Sequence, residues 1–189
     1  DGSVRAWGSY WNGSGSYVLM TVPTGLSQVA AIAAGTDHCV ALRSNGTVIA
    51  WGSAGFYGKT NVPAGLSNVL AVAAGYDHSL ALRRDGTVVG WGRDTEHQAT
   101  VPSGLTNVIA ISAGGFHSLA LRADHTMVAW GQNFYGTTNI PTGLSNVVAI
   151  AGGRDHNLAL VKVAAVDING DGLPDNDADT DGDGVNNWQ

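Results

Sequence analysis

Acidic residues are concentrated in the last part of the chain, in the segment DINGDGLPDNDADTDGDGVNNWQ after Val166. Asp and Asn occupy alternate positions there, and each of two such runs is closed by a glycine, Gly172 or Gly184. Calcium takes about six to eight oxygen ligands, and alternating carboxylates before a sharp turn bring their oxygens onto one cation. The spacing therefore predicts two calcium loops. The predicted ligands are Asp167, Asn169, Asp171, Asp175, Asp177, Asp179, Asp181, Asp183 and Asn187.

The alternative interpretation of this segment is a flexible acidic linker that holds no fixed ion. Magnesium is less suited to so many anionic ligands. Neither loop has an acid at its twelfth position, because Ala178 stands there in the first loop and the second reaches Gln189 too early. We therefore expect weak calcium affinity. We also expect further protein to follow Gln189, and a processed or truncated start at Asp1.

The rest of the chain repeats itself four times. Trp-Gly recurs at Trp7, Trp51, Trp91 and Trp130, Pro-x-Gly-Leu at Pro23, Pro63, Pro102 and Pro141, and Gly-x-x-His at His38, His78, His117 and His156. The last two series advance by 40, 39 and 39 residues. A fixed period of this length is typical of repeat architectures. We place the repeats at residues 1–163 and an acidic tail or linker at 164–189.

Each repeat is predicted to contain about three β-strands and no helix. Stretches such as NVLAVAAG are short, apolar and rich in β-branched residues, as buried strands are. In HCVALRSNGTVIAWG an Asn-Gly pair separates two apolar runs, which predicts a tight hairpin. A period of about 40 residues with several strands is typical of the sheets, or blades, of a β-propeller. The recurrent Trp is expected to pack between adjacent blades.

These motifs resemble the regulator of chromosome condensation repeat family in its short-repeat bacterial form. The resemblance spans roughly residues 1 to 163, through NGTVIAWG, VPAGLSNVLAVAAG and DHSLALRRDGTVVGWG. It implies an all-β propeller, commonly of seven blades, that works by binding. The tail resembles thrombospondin type 3 or dockerin-like calcium loops of secreted bacterial proteins. Two departures are the presence of only four repeats and an Asp124-His125 pair where Asp-Gly is expected.

The two ends of the repeat region are complementary. The fourth repeat ends NLALVKVAAV without a returning Trp-Gly strand, whereas the chain opens with the missing half-hairpin, DGSVRAWG. One interpretation is that a strand near Val4 to Trp7 pairs with one near Leu158 to Val163 and closes a four-bladed ring. The others, which we favour slightly, are part of a larger ring or head-to-tail assembly of copies.

The recurrent histidines permit two interpretations. In a closed ring they would face one axis and share a metal, whereas singly each would cap the turn before its strand with its imidazole bonded to backbone. We favour the second, because the family carries this histidine at the same place. The sequence shows no recognisable nucleophile motif, and residues repeated in every blade are structural by default. We do not expect an enzyme.

Function is sought where the repeats differ, in the loops between Trp and Pro. The first loop is the longest and contains Tyr10, Trp11 and Tyr17, and equivalent loops contain Phe56 and Phe134. Exposed aromatic residues anchor protein partners and stack on sugars, so these five are the predicted ligand-binding residues. The adjacent Tyr57 and Tyr135 are expected to pack between blades, as in the family. Arg93 begins a loop that is expected to be a solvated turn.

Composition narrows the choice of partner. The net charge of -6 gives no footprint for phosphate backbones, so nucleic acid is not expected. No apolar run is long enough for membrane insertion. The lone Cys39 lies in an apolar stretch and is expected to be a core thiol. The leading hypothesis is an extracellular module, secreted or on the cell surface, that binds a protein or glycan. The alternative is a subunit that assembles through blade edges into a homo-oligomer or fibre.

Overall fold

The computed structural model describes residues 2–12, 14–53 and 55–162 and shows an all-β chain in this part. One short 3-10 turn, Phe56–Gly58, interrupts the strands. The strands are β1 (Ser9–Trp11), β2 (Tyr17–Leu19), β3 (Val29–Ala34), β4 (His38–Arg43), β5 (Val48–Gly52), β6 (Val69–Ala74), β7 (His78–Arg83), β8 (Val88–Gly92), β9 (Val108–Ala113), β10 (His117–Arg122), β11 (Met127–Gly131), β12 (Val147–Gly152) and β13 (Asn157–Val161). The predicted fold class is confirmed.

Each repeat forms one antiparallel sheet. Sheet 1 contains β3, β4 and β5, sheet 2 contains β6, β7 and β8, sheet 3 contains β9, β10 and β11, and sheet 4 contains β12 and β13. The middle strand is the most buried because it has a strand on each side and a sheet on each face, as in β7 and β10. The tail and its predicted calcium ligands lie outside the described residues.

The tight hairpins form where the sequence predicts them. The Asp85 carboxylate accepts hydrogen bonds from the backbone N–H and the hydroxyl of Thr87, at 3.0 and 2.6 Å. Gly86 then adopts a positive φ of 78°, which glycine tolerates at low cost. The Asp124-His125 pair makes the same turn, with His125 at a φ of 64°. The departure from Asp-Gly therefore leaves the hairpin intact.

Neighbouring sheets are stacked face to face along the chain. Leu80 and Leu82 of sheet 2 form a buried cluster with Val108, Ala120 and Trp130 of sheet 3, and an equivalent cluster joins sheets 1 and 2. Large apolar side chains of one sheet thus fill the space beside small ones of the next.

The predicted packing of the recurrent Trp is confirmed between the stacked sheets. The side chains of Trp91 and Trp130 are each 7% exposed, and Trp51 is partly buried. Trp7 is 88% exposed, so the prediction is wrong at this position. Trp7 lies in residues 2–8, which join no sheet in the described chain.

In the part of the chain that the structure describes, the four sheets do not close a ring by strand exchange between the two ends, which was one of the interpretations of the sequence. Within the described residues, β13 pairs only with β12, and residues 2–8 join no sheet. The Gly2 carbonyl accepts from Val29 N–H at 3.1 Å, the bond that Gly46 makes to Val69. The first residues therefore follow the path of a third strand beside sheet 1. No helix of the described chain has the length and apolar character needed to cross a membrane.

Candidate functional site

The variable loops and the Gly-x-x-His turns lie at the same edge of the sheets. In sheet 1, His38 pairs with Gly52 and Ala34 pairs with Cys39, so the turn before β4 and the loop after β5 emerge together. The same register recurs in sheets 2 and 3. We call this edge of the stacked sheets the loop face. The tight hairpins, such as Asn45-Gly46, lie at the opposite edge.

The predicted ligand-binding residues all belong to loops of this face, but they form separate groups. Trp11 and Tyr17 meet edge to face on the β1–β2 hairpin, with ring centroids 5.3 Å apart. Tyr10, on the same hairpin, is half-buried. Phe56 and Phe134 are exposed in two further loops. The structure thus brings together only Trp11 and Tyr17 of the five.

A different group of residues forms a continuous cluster on the loop face. The Arg93 guanidinium carbon lies 4.6 Å from the ring centroid of Phe116 and 5.2 Å from that of Tyr57. Phe116 meets Tyr76 edge to face at 5.2 Å, and the Arg154 guanidinium carbon lies 5.7 Å from the Tyr76 ring centroid. We call these five residues the arginine–aromatic cluster. Distances of this size are typical of cation–π contacts.

The cluster corrects two expectations from the sequence. Tyr57 and Tyr135 do not pack between sheets, because they are 49% and 72% exposed. Arg93 does not merely begin a solvated turn, because its guanidinium lies against two rings of neighbouring segments. No role was predicted from the sequence for Tyr76 and Phe116, which lie between the glycine and the repeated histidine of their turns, at positions that vary from repeat to repeat. That variation is the signal that identifies them.

A buried lysine makes ion pairs with the turns next to the arginine–aromatic cluster. Lys59 is 3% exposed, and its Nζ lies 2.6 Å from a carboxylate oxygen of Asp37 and 2.6 Å from one of Asp77. Arg93 Nη1 lies 3.9 Å from the other oxygen of Asp77. Burial alone would lower the pKa of Lys59, but its contacts with both carboxylates outweigh burial and raise that pKa. Lys59 therefore remains charged and links the turns of sheets 1 and 2.

The Gly-x-x-His turns line a cleft of about 300 Å³ to which all four sheets contribute. Glycine is required here. A Cβ on Gly75 would lie 2.3 Å from the ring of His78 and 2.4 Å from the Gly114 carbonyl oxygen. The histidine ring of each sheet thus occupies the space beneath its own turn.

The histidines connect neighbouring sheets. The ring Nε2 atoms of His38 and His78 lie 2.9 Å from the hydroxyls of Ser79 and Ser118, and Nε2 of His117 lies 2.6 Å from the Asn157 amide oxygen. The expected ring-to-backbone cap is therefore wrong for these three. The sequence signal was the Ser or Asn that follows the histidine of the next repeat.

The histidine environment does not favour a charged ring. Burial lowers the pKa of His38 to about 4, helped by the nearby Lys59 charge, and burial lowers that of His78 to about 4 as well. No cluster of three or more metal-ligating side chains is found within residues 2–12, 14–53 and 55–162. His38 and His78 thus act as neutral hydrogen-bonding links.

The repeats match a known family. Residues 29–58, 69–98 and 108–137 match the family model of the Regulator of chromosome condensation (RCC1) repeat. Sheets 1, 2 and 3 are thus similar to RCC1 repeats. Each matched segment begins at the first strand of a sheet and ends in the loop after the third strand. One matched segment is thus one sheet with its own part of the loop face.

Solved structures share this fold. Yeast RCC1 (Prp20) bound to Kap60 is 20% identical with a TM-score of 0.64, over 82% of this chain and 49% of that one. The ectodomain of the Physcomitrella patens receptor kinase CR4 is 24% identical with a TM-score of 0.61, over 73% of this chain and 39% of that one. The chain thus spans about half the length of these structures or less. No curated protein matches its sequence.

Proposed function

We propose that this chain is a protein-binding module and that the arginine–aromatic cluster is the centre of its binding surface. The carrying observation is the continuous arrangement of Arg93 and Arg154 on the rings of Tyr57, Tyr76 and Phe116. The cluster joins residues from sheets 1, 2, 3 and 4, so a partner lying across it would contact several repeats at once.

The side chains of the cluster are the types that anchor protein interfaces. Tyr and Arg are enriched among residues whose truncation costs the most binding energy, and aromatic rings bury a large area at small entropic cost. The salt bridges of Lys59 hold the underlying turns in place before a partner arrives. Such preorganisation lowers the entropy lost on binding.

The fold neighbours support a protein as the partner. One structure shows yeast RCC1 bound to Kap60, and another describes binding of the Saccharomyces cerevisiae Prp20p to Gsp1p and histones. That second structure is 20% identical to this chain with a TM-score of 0.62. These proteins share the fold with this chain, and the partners named are those of the yeast protein.

The exposed aromatic residues outside the cluster extend the same surface. Phe56 lies beside Tyr57, with ring centroids 6.3 Å apart, and Phe134 lies in the equivalent loop of sheet 3. We assign them, with Tyr10, Trp11 and Tyr17, to the periphery of the binding surface. A glycan would stack on these peripheral rings and would not require the two arginines.

The remaining parts of the hypothesis rest on the sequence alone. We propose that the acidic tail binds calcium and that the protein works outside the cell, where calcium reaches about millimolar concentration and weak loops fill. The tail would then stiffen the connection between the repeats and any domain that follows.

The proposed surface is tested with matched arginine variants. R93A and R154A remove the two guanidinium groups, whereas R84A removes an exposed arginine beside a tight hairpin at the opposite edge. Immobilised wild-type protein and each variant are incubated with extract from the source organism, and bound proteins are compared. We expect a partner that wild type and R84A retain and that R93A and R154A lose by about tenfold or more.

Two results would contradict the proposal. One is equal retention of every bound protein by R93A, R154A and wild type. The other is binding of glycans, but of no protein, that depends on Trp11 or Phe134 and ignores both arginines. Thermal unfolding of each variant verifies that the fold is retained.

A further inference from the structure

Backbone hydrogen bonds run from one Gly-x-x-His turn to the next in a single direction. Thr36 N–H donates to the Tyr76 carbonyl at 3.4 Å, Tyr76 N–H to the Gly115 carbonyl at 3.2 Å, and Gly115 N–H to the Arg154 carbonyl at 3.1 Å. In the described residues this series leaves Arg154 N–H without an acceptor at one end. It leaves the Thr36 carbonyl without a donor at the other end.

The histidine links have the same direction and leave the same two ends unfilled. His38, His78 and His117 bond to the residue after the histidine of the following sheet. The last histidine, His156, is exposed and has no following sheet in the described chain. At the other end Cys39 occupies the position of Ser79, and its thiol is free and half-buried.

The apolar contacts between sheets end in the same way. Leu158 and Leu160 of sheet 4 correspond to the buried Leu80 and Leu82 of sheet 2, yet they are 65% and 62% exposed. The surface that such leucines contact in sheet 3 includes Trp130. Its counterpart in sheet 1 is Trp51, which borders an open groove of about 390 Å³ together with Cys39, Ile32 and Met20.

Strand pairing supplies a fourth unfilled position. Sheet 4 has two strands in the described chain where the others have three, so the free edge of β13 can take a third. Residues 2–8 lie on the path of a third strand but have no middle strand beside them. Aligned with sheet 1, they would place Gly8 opposite His156 and Val4 opposite Leu160, as Gly52 and Val48 stand opposite His38 and Leu42.

We propose that these two ends bind each other between copies, so that sheet 4 of one chain docks against residues 2–8 and sheet 1 of a second chain. The groups at the two ends are complementary. The Arg154 N–H would donate to the Thr36 carbonyl, and His156 would face Cys39. Leu158 and Leu160 would enter the groove beside Trp51, and residues 2–8 would pair with β13. The contact repeats the arrangement already present between sheets 1 and 2, 2 and 3, and 3 and 4.

A second copy is the occupant because the groups at one described end complement those at the other, and the same contact recurs between the described sheets. Within the described residues, no strand pair joins sheet 4 to sheet 1 or to residues 2–8. The contact is head to tail, so two copies form a closed pair if both of their contacts are made, and an open chain grows otherwise. The inference concerns the two ends of the stack of sheets and is independent of the proposed loop-face function.

The test is the mass of the 189-residue chain in solution, measured by light scattering from about 1 to 200 μM. We expect masses of two or more copies that fall on dilution. The L158D/L160D variant should weaken association by about tenfold or more, because carboxylates would enter an apolar groove. L70D is the matched control, since Leu70 is a half-exposed leucine of sheet 2 away from both ends.

Crosslinking identifies the contact. In H156C, a short bis-maleimide should join the new thiol of one copy to Cys39 of the next and give covalent dimers or ladders. H156C/C39A should lose them. A monomer at every concentration overturns the proposal, as does association that L158D/L160D leaves unchanged. The R93A variant should keep the mass of wild type, so failure of the loop-face proposal would leave this result unaffected.

Discussion

The ring Nε2 of His78 lies 2.9 Å from the hydroxyl oxygen of Ser118, on the neighbouring sheet. Ser118 donates its own hydroxyl proton to the Gln98 carbonyl at 2.8 Å, so the hydroxyl oxygen must accept from His78. His78 therefore has a proton on Nε2, and because burial lowers its pKa to about 4, the ring is neutral near pH 7. Two sheets and the loop that contains Gln98 thus meet at one serine.

The first prediction concerns that serine. S118A removes the acceptor of a buried N–H and the donor to the Gln98 carbonyl. Leaving such groups unpaired costs about 1–3 kcal/mol each, so we expect S118A to lower the free energy of unfolding by roughly 2–4 kcal/mol. Urea unfolding measures the loss. S103A, on an exposed turn, is the control and should change stability by less than about 0.5 kcal/mol. A similar stability of both variants would contradict the linking role.

The second prediction concerns acid. Because His38 and His78 have pKa values of about 4 in the folded chain and an ordinary value of 6.5, only the unfolded chain takes up protons between these values. Stability should be unaffected by these groups above about pH 6.5, fall as the pH drops toward 4, and level off below. Each histidine contributes a slope of roughly 1 kcal/mol per pH unit.

The variant H78N isolates this effect. Its unfolding free energy should depend less on pH between 7 and 5 than that of wild type, whatever its absolute stability. H97N, at an exposed loop histidine, is the matched His-to-Asn control, because asparagine tolerates the positive φ of 60° there. Equal slopes in H78N and wild type would show that the ring titrates freely in the folded chain.

Local patterns were sufficient to predict the sheets. The turn at Asp85-Gly86, the strands on either side and the burial of Trp91 depend on residues close in sequence or on the repeat itself. The contact of Arg93 with Phe116 was not predictable in this way. It joins two loops of different repeats and depends on the rotation of one sheet relative to the next.

The exposure of side chains at the two ends was also not predictable from the sequence pattern. The half-hairpin DGSVRAWG predicted that Trp7 would be a third-strand residue, and the Gly2 to Val29 bond agrees with that place. Its exposure depends on whether a partner strand is present, and composition does not encode that. The same holds for Cys39, expected in the core and found half-buried beside an open groove.

The third prediction concerns calcium. The chain should bind calcium with a dissociation constant of about 10⁻⁴–10⁻³ M, measured by calorimetry and reversed by a chelator. D171N/D183N removes one carboxylate from each predicted loop and should weaken binding at least severalfold. D85N changes an exposed Asp of a tight hairpin and should bind as wild type does. Equal binding by all three proteins would show that the tail is an acidic linker. So would an absence of binding at about 10 mM calcium, which is above the dissociation constants of such loops.

The fourth prediction concerns Lys59, which lies 2.6 Å from both Asp37 and Asp77. K59M keeps the apolar stem but leaves two carboxylates without their shared cation. Removing one partner of a buried ion pair costs about 3–5 kcal/mol, and partial exposure of the carboxylates places this site at the lower end. K162M, at an exposed lysine, is the control for urea unfolding and should be close to wild type. A stability equal to that of K162M would show that the carboxylates are adequately solvated without the lysine.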